Sequence, residues 1–229
     1  DSMELRLYSP RWEQLALVRK SVLHGSLDFL TADCDQDGRL ELLATNRYGS
    51  VSVHAPDGAS QGRFYTSIGN VQAVVGDMDG DGHCELVAGS STGDLSCWAL
   101  GNNGPINQSE VTWRFDNYGY GVNRVRQMDL DGDGNMEAII ASQTGYVYAV
   151  KADGSLLWQR CIGADIIELL SDDTGRLVCL DRERMCVVLE PGGSEVTRFG
   201  IGMVPSEALL IGQTLIVGGR GKVAAFQLP

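Results

Sequence analysis

Three stretches of this chain repeat one pattern of acidic residues, and that pattern limits the fold more than any other feature. Each stretch carries Asp at positions 1, 3 and 5, Gly at position 6 and Glu at position 9. Each one runs directly into a short apolar segment. The three stretches, here called loops 1, 2 and 3, are Asp33–Glu41, Asp77–Glu85 and Asp129–Glu137.

The spacing of these carboxylates is typical of calcium-binding loops. Calcium binds about six to eight oxygen atoms in a flexible geometry, and Asp at alternate positions of a tight loop turns several carboxylates toward one point. Gly at position 6 permits the sharp turn, so that the backbone carbonyl at position 7 faces inward. The predicted ligands are Asp33, Asp35, Asp37, Arg39 and Glu41 in loop 1, Asp77, Asp79, Asp81, His83 and Glu85 in loop 2, and Asp129, Asp131, Asp133, Asn135 and Glu137 in loop 3.

The acidic pattern fits an EF-hand, a magnesium site or a plain turn less well. An EF-hand needs a bidentate Glu at position 12 and a helix on each side, whereas position 12 here is Ala44, Ala88 or Ile140. Magnesium prefers a stricter octahedron and keeps its waters. A single loop is equally well explained as an acidic hairpin turn, but three copies favour calcium. We therefore expect up to three calcium ions, with a structural role.

A second repeat, of glycines that close a strand, sets the architecture. Gly25, Gly69, Gly121, Gly163 and Gly202 recur at intervals of 44, 52, 42 and 39 residues, which is the size of a four-stranded propeller blade. Alternating apolar residues and Gly-bearing turns between them indicate strands. The sequence predicts a single all-β domain, a β-propeller of five antiparallel blades, over residues 1–229. The approximate blade limits are 26–69, 70–121, 122–163, 164–202 and 203–229 together with 1–25.

The fourth unit, the last unit and the N-terminal segment follow the repeat less regularly. The loop of the fourth unit has decayed to Ser171–Gly175, where we expect no metal. The last unit has three predicted strands, and Gln14–Val22 is expected to supply the fourth, which would close the ring and remove exposed sheet edges. An extra strand at Leu5–Tyr8 favours the alternative of a truncated propeller with six or seven blades. A helix over Arg11–Lys20 is a further alternative.

The unit formed by an acidic loop, an apolar strand, a Gly turn and a second strand resembles the FG-GAP or VCBS repeat family, to which the N-terminal propellers of integrin α-subunits belong. The resemblance covers residues 26–163 well and 164–229 loosely. It implies a β-propeller whose loop carboxylates bind structural calcium on one rim. In the commonest form of that family position 9 is Asp, whereas all three loops here carry Glu.

The bulk composition excludes some classes of function. The chain has 229 residues and a formal net charge of −12, and the three loops alone hold 12 carboxylates. The acidity is therefore mostly that of the loops, and it argues against a nucleic-acid partner, which would require a basic surface. No apolar run approaches the roughly 18 residues of a membrane span, so direct membrane insertion is not expected.

The six cysteines leave the cellular compartment open. None forms a CxxC motif. If Asp181–Arg184 is a hairpin turn, Cys179 and Cys186 lie opposite each other on paired strands and could form a bridge in an oxidising compartment. The interpretation we favour is that all six are buried or half-buried thiols, which suits the cytoplasm, whereas the calcium loops also suit an extracellular protein.

For function, the sequence favours a non-catalytic interaction or scaffold module with a protein partner. Exposed loops on a rigid propeller carry recognition, and aromatic residues and Arg are favoured at binding hot spots. The candidates are Arg47, Tyr48, Tyr118 and Tyr120. A carbohydrate-binding propeller, with Tyr48, Trp98, Tyr146 or Tyr148 as sugar contacts, and an accessory domain of an enzyme are the alternatives. Of the histidines His24, His54 and His83, only His83 lies in a loop, and no catalytic arrangement is evident.

Overall fold

The structure is a computed structural model that describes residues 4–8, 10–19, 25–101 and 104–229. The regular secondary structure of the described chain is β-strand, apart from one short 3-10 helix at Ile106–Gln108. It divides into two compact units, Asp1–Gly119 and Tyr120–Pro229. Within the described ranges, no helix is both long and apolar enough to cross a membrane.

The first unit contains a two-stranded sheet and two four-stranded sheets, in which neighbouring strands are consecutive in sequence and antiparallel. The strands of the two-stranded sheet are β1 (Glu4–Tyr8) and β2 (Gln14–Arg19). The four-stranded sheets are β3 (Ser26–Ala32), β4 (Glu41–Asn46), β5 (Ser50–His54) and β6 (Ser60–Tyr65), followed by β7 (Val71–Gly76), β8 (Cys84–Ser90), β9 (Leu95–Leu100) and β10 (Val111–Phe115).

The second unit contains two four-stranded sheets and one three-stranded sheet of the same kind. The first comprises β11 (Val122–Met128), β12 (Glu137–Ser142), β13 (Tyr146–Val150) and β14 (Leu156–Cys161). The second comprises β15 (Ile166–Ser171), β16 (Leu177–Asp181), β17 (Met185–Leu189) and β18 (Glu195–Gly200). The third comprises β19 (Glu207–Ile211), β20 (Thr214–Gly219) and β21 (Lys222–Gln227).

The sheets follow the predicted repeat, because each predicted unit from 26 to 202 contains one four-stranded antiparallel sheet. Four of the five recurring glycines have a positive φ, namely Gly25, Gly69, Gly163 and Gly202. These glycines allow the chain to turn from the last strand of one sheet to the first strand of the next, since an L-residue resists that backbone conformation. The assignment of residues 1–229 to a single domain stays a prediction.

The predicted pairing of Gln14–Val22 with the last unit is wrong for the residues that the structure describes. Residues Gln14–Arg19 pair instead with Glu4–Tyr8, in register from Glu4↔Arg19 to Tyr8↔Gln14. Only residues 9–13 lie between the two strands in the sequence, so their pairing closes a small loop at low entropic cost. The same pairing excludes the alternative of a helix over Arg11–Lys20.

The second and third strands of each four-stranded sheet carry the core. All six residues of β4 and all six of β12 are buried, whereas the outer strand β18 alternates between exposed and half-buried positions. In the first unit the two four-stranded sheets share one apolar cluster, in which the Phe64 and Trp98 rings lie 5.6 Å apart between centroids.

The predicted opposition of Cys179 and Cys186 is wrong by one residue. Cys179 pairs with Val187, and Leu180 pairs with Cys186. The turn comprises residues 182–184, one residue fewer than expected, and a shift of one residue sends a side chain to the other face of a sheet. The two thiols therefore enter different apolar clusters. All six cysteines are free thiols, and Cys161 is exposed rather than buried or half-buried as expected.

We expect Ile139→Ala to lower the free energy of unfolding by about 2–5 kcal/mol, because it leaves a cavity in the core of the second unit. Ile139 is 0% exposed, whereas Ile211 in the same unit is 58% exposed. Urea unfolding followed by circular dichroism measures the effect. The control Ile211→Ala should change the stability by no more than about 0.5 kcal/mol, and equal losses in the two variants would contradict this assignment of the core.

Candidate metal centres

The three acidic loops occupy the same place in three sheets. Loop 1 joins β3 to β4, loop 2 joins β7 to β8, and loop 3 joins β11 to β12. Each therefore connects the first strand of a sheet to its buried second strand. Position 1 follows the end of the first strand, and the Glu at position 9 lies within the opening residues of the second. A ligand held by both positions would tie the two strands together.

The Asp at position 1 folds the loop back on itself. Its Oδ2 accepts a hydrogen bond from the backbone N–H of the Gly at position 6, and this Gly has a φ of +85° to +92° in the three loops. A left-handed conformation of this kind is the reason that Gly occupies position 6. The N–O distances are 3.0 Å for Gly38 to Asp33, 3.0 Å for Gly82 to Asp77 and 3.1 Å for Gly134 to Asp129.

The Asp residues at positions 3 and 5 also accept hydrogen bonds from backbone N–H groups of the loop. The Oδ1 of position 3 accepts the N–H of position 5, and the Oδ1 of position 5 accepts the N–H of position 7. The second of these bonds is 2.8 Å long in every loop. Each of these carboxylates thus uses one oxygen to hold the loop and presents its second oxygen to another partner.

The Glu at position 9 is the buried element of each loop. Its Oε2 accepts the backbone N–H of position 2, at 2.8 Å from Cys34 to Glu41, 2.9 Å from Met78 to Glu85 and 2.8 Å from Leu130 to Glu137. The Oε1 atoms of Glu41 and Glu137 are buried and have no hydrogen-bond partner, and the same holds for Oδ1 of Asp33. A buried carboxylate oxygen without a donor is costly, and a cation would satisfy it.

The side chains of each loop also converge. In each loop, three carboxylates have oxygen atoms within 4.8 Å of one another. The three clusters are Asp33, Asp35 and Asp37; Asp77, Asp79 and Glu85; and Asp129, Asp131 and Glu137. The remaining predicted side-chain ligands, Glu41, Asp81 and Asp133, lie outside these clusters but within the same loops. An all-oxygen donor set with several carboxylates fits calcium. The carbonyl ligands at Arg39, His83 and Asn135 stay predictions.

The decayed loop of the fourth unit has replaced the acidic cluster with an internal ion pair. Asp172 accepts hydrogen bonds from the backbone N–H groups of Thr174 and Arg176, and its Oδ2 lies 2.7 Å from Nη2 of Arg176. The hydroxyl of Thr174 and this arginine hold the pKa of Asp172 below its usual range despite its burial. The turn therefore carries its own cation, and the expectation that it binds no metal stays a prediction.

Burial makes the glutamates of the acidic loops hard to ionise. The pKa of Glu85 is raised to about 7, with burial as the largest cause. The hydrogen bond from Met78 lowers this pKa, and the charges of Asp79, Asp81 and Asp77 raise it. The pKa values of Glu41 and Glu137 are also raised, with burial as the largest cause. A divalent cation would reverse this effect, because it favours the charged form of each carboxylate.

The sequence pattern did not identify the side chains that flank the loops. In loop 1, Arg39 donates to Oδ2 of Asp37 at 2.8 Å, and Gln61 donates to Oδ2 of Asp35 at 3.2 Å. In loop 3, Nζ of Lys151 lies 2.6 Å from Oδ2 of Asp131. Gln61 and Lys151 lie well after their loops in sequence, although strand pairing brings them to the same end of the sheet.

Loops 1 and 2 touch each other. Nε2 of Gln36 donates to the carbonyl of Gly82 at 2.6 Å and lies 3.0 Å from Nδ1 of His83. Sγ of Cys84 lies 3.5 Å from the carbonyl oxygen of Asp33. The His83 ring thus faces loop 1. The predicted metal ligand of this residue is its backbone carbonyl, not its ring. His54 is buried beside Ser52 and is a core residue, and His24 lies outside the described residues.

Comparison with known proteins supports the family resemblance and the fold. Residues 77–140 match the family model described as an FG-GAP-like repeat. The match begins at the first Asp of loop 2 and ends shortly after loop 3, so it includes two of the three acidic loops. The resemblance predicted from the loops is therefore confirmed over this stretch. No curated protein sequence matches the chain.

Solved structures similar to this chain are β-propellers. BBS1N in complex with ARL6DN is 9% identical with a TM-score of 0.67, and the match covers 87% of this chain and 64% of that one. BamB from Moraxella catarrhalis is 15% identical with a TM-score of 0.62, covering 95% and 64%. Sqt1 from Saccharomyces cerevisiae is 12% identical with a TM-score of 0.66, covering 82% and 57%.

These likenesses confirm the predicted fold class, an all-β propeller of antiparallel sheets. At such low identity they establish the fold alone. The chain spans 64% or less of the length of each of these three structures. The number of blades stays a prediction.

The raised pKa of Glu85 predicts how the stability of the metal-free protein depends on pH. The folded-state pKa of about 7 exceeds the ordinary value of 4.5, so the folded state binds the proton more tightly. The stability from this group is complete below about pH 4.5 and is lost as the pH rises through 7. In chelator, the wild-type protein should lose more thermal stability between pH 6 and pH 8 than Glu85→Gln, which keeps an oxygen for the N–H of Met78.

Thermal melting at the two pH values measures this difference. Glu110→Gln removes an exposed glutamate of the same unit and should behave as the wild type does. An identical pH dependence in the wild type and in Glu85→Gln would contradict the assigned role of Glu85.

Proposed function

We propose that this chain is a non-catalytic β-propeller, stabilised by calcium in its acidic loops, that serves as a protein-interaction module. The observation that carries the calcium part is the buried carboxylate at position 9. One oxygen of Glu41 and of Glu137 accepts a backbone N–H, and the other is buried without any donor. A metal ion is the partner that such an oxygen lacks.

Calcium would act on stability rather than on chemistry. Each loop holds four carboxylates within nine residues, and their mutual repulsion opposes folding when no cation is present. A calcium ion bound by positions 1 and 9 would connect the first and second strands of the sheet. Since the unfolded chain lacks the site, binding stabilises the folded state by mass action, by about 2.7 kcal/mol per site when calcium exceeds its dissociation constant a hundredfold.

The interaction part rests on three large exposed side chains of the first unit, here called the apolar rim: Tyr48, Ile68 and Tyr118. They are 55%, 80% and 75% exposed, respectively. Tyr48 lies in the β4–β5 turn, Ile68 in the β6–β7 connection and Tyr118 in the connection that follows β10. Of the interaction residues expected from sequence, Arg47 and Tyr120 are also exposed.

Contacts between these turns place the apolar rim on one end of the unit. The N–H of Gly49 donates to the carbonyl of Gly69 at 3.0 Å, and the hydroxyl of Thr92 donates to the carbonyl of Ile68. A Cβ built on Gly93 would lie 3.8 Å from Cα of Gly119. Each of these turns therefore contacts the next one. They lie at the ends of β4 and β8 opposite to loops 1 and 2, so a partner on the rim would not cover the metal loops.

Two features strengthen the rim as a recognition surface. Side chains of Asx type fix its turns, because Asn46 accepts the N–H of Tyr48 at 2.9 Å and Asp116 accepts the N–H of Tyr118 at 2.7 Å. A rigid aromatic side chain loses little entropy on binding. Among the similar structures, BBS1N is described in complex with ARL6DN, which is consistent with a protein partner for this fold.

The structure gives less support to the sugar contacts expected for a carbohydrate-binding propeller. Trp98 and Tyr148 are buried, and Trp98 packs against Phe64 in the core. Tyr146 is half-buried and stacks on Tyr148 with ring centroids 5.7 Å apart. Tyr48 is the one exposed residue of that set, and it belongs to the apolar rim.

Calcium should raise the melting temperature of the metal-stripped protein, and excess chelator should lower it again. Glu137→Gln keeps the acceptor for the N–H of Leu130 but removes the charge, so we expect it to show a smaller rise with calcium. Differential scanning calorimetry with and without calcium chloride measures both effects. Glu190→Gln, at an exposed turn of the same unit, is the matched control and should respond as the wild type does.

A melting temperature that does not respond to calcium, in protein shown to be free of metal, would contradict the calcium part of the proposal. The loops would then be acidic turns only, and the β-propeller fold would be unaffected.

The double variant Tyr48→Ser, Tyr118→Ser should lose a protein partner without losing stability. Both tyrosines are exposed in the folded protein. We therefore expect their replacement to change the melting temperature by no more than a few degrees. Crosslinking followed by mass spectrometry, in parallel for the wild type and the variant, measures which partner is lost. Tyr65→Ser, which removes another exposed tyrosine of the same unit, is the control. If the variant loses no protein partner, and both proteins bind equally to a glycan array, the proposed role of the apolar rim is contradicted.

A further inference from the structure

The three loops differ in the charge that faces their carboxylates. In loop 3, Nζ of Lys151 lies 2.6 Å from Oδ2 of Asp131 and 3.5 Å from Oδ2 of Asp133. These carboxylates hold positions 3 and 5, and their Oδ1 atoms are the ones used to shape the loop. The ammonium group therefore binds the two oxygens that positions 3 and 5 would offer to a metal ion.

Lys151 does not complete the site. Glu137 is fully buried, and its Oε1 has no hydrogen-bond partner. The oxygens of Asp129, Asp131 and Glu137 still converge within 4.8 Å. The lysine thus neutralises the outer part of loop 3, while the inner carboxylate remains unsatisfied. A metal ion that entered would compete with the lysine for Asp131 and Asp133.

The first repeat supplies a natural comparison at the same turn. Lys151 opens the β13–β14 turn, in which its N–H donates to Ser155 at 2.8 Å and its carbonyl accepts from Gly154 at 2.9 Å. In the β5–β6 turn of the first repeat, Ala55 makes the same two bonds with Ala59 and Gly58, each 2.8 Å long. The position of Lys151 is therefore that of Ala55.

Without a lysine, loop 1 has a different set of neighbours. Oδ2 of Asp35, at position 3, accepts a hydrogen bond from the neutral amide of Gln61 at 3.2 Å. Arg39 contacts Asp37 at position 5 with a side chain that is 64% exposed. The ammonium of Lys151 instead bridges positions 3 and 5 with a side chain that is 33% exposed. Of loops 1 and 3, loop 3 is therefore the one in which a single cationic side chain contacts the carboxylates at both position 3 and position 5.

We infer that Lys151 is an internal competitor of calcium and makes loop 3 the weaker site, so that loop 1 fills at lower calcium concentration. The inference rests on the proposed function, that the loops bind calcium. Calcium in loop 3 must either break the ion pair or lie near a positive charge, and both lower its affinity. Because the pair is partly exposed, the effect is several-fold and decreases with salt. When calcium enters, the amine is released to solvent.

The experiment is isothermal titration of the metal-stripped full chain with calcium chloride. Glu137→Gln in the wild type identifies the binding step that belongs to loop 3. Lys151→Ala should tighten that step several-fold, and Lys151→Arg, which keeps the charge, should leave it close to the wild type. Ala55→Lys should weaken the step that belongs to loop 1. Lys222→Ala, at the β20–β21 hairpin, changes the net charge equally and should leave the loop 3 step unchanged.

A second measurement follows the lysine itself. Lys20, Lys151 and Lys222 are the three lysines of the chain, so an amine-reactive reagent and peptide mapping report on Lys151 directly. Its modification should increase as calcium is added, while that of Lys222 stays constant.

The possible results separate the two proposals. If no variant binds calcium, the proposed function fails and this inference fails with it. If all variants bind calcium, and Lys151→Ala has the same loop 3 affinity as Lys222→Ala, the role of Lys151 is overturned while the calcium loops stand.

Discussion

The structure depends on a hydrogen bond that occurs three times, from the backbone N–H at position 2 of an acidic loop to the buried glutamate at position 9. It is 2.8–2.9 Å long in each loop. The bond fixes the start of the loop against the first residues of the buried second strand. It also leaves a carboxylate inside the protein, where burial opposes its charge. The same contact that shapes the loop therefore creates the need for a cation.

The first, third and fourth repeats differ in the charges that face this loop. The fourth has lost the cluster and pairs Asp172 with Arg176. The third keeps the buried Glu137 but adds the ammonium of Lys151. In the first, the neutral amide of Gln61 faces Asp35 at position 3, and the exposed Arg39 faces Asp37 at position 5. The sheets beneath these loops are alike, so the repeats share a scaffold and differ in the charges at its edge, which is where we expect the affinity for calcium to be set.

Much of this arrangement could be predicted from the sequence, because it depends on local patterns. Gly38 and its equivalents indicate a positive φ, and the alternation of Asp indicates the loop, since both act within nine residues. Register and partners across strands could not be predicted so well. A turn one residue shorter than expected placed Cys186 on the face of its sheet opposite to Cys179, and Gln14–Arg19 paired locally. The role of Lys151 could not be predicted because it meets Asp131 only through the pairing of β12 with β13.

The central claim is that the buried glutamates belong to calcium sites. Native mass spectrometry of the folded chain, desalted and then supplied with calcium, counts the bound ions directly. We predict bound calcium up to three ions per chain, with one ion fewer in Glu137→Gln. A folded wild-type chain that retains no calcium under these conditions would contradict the claim.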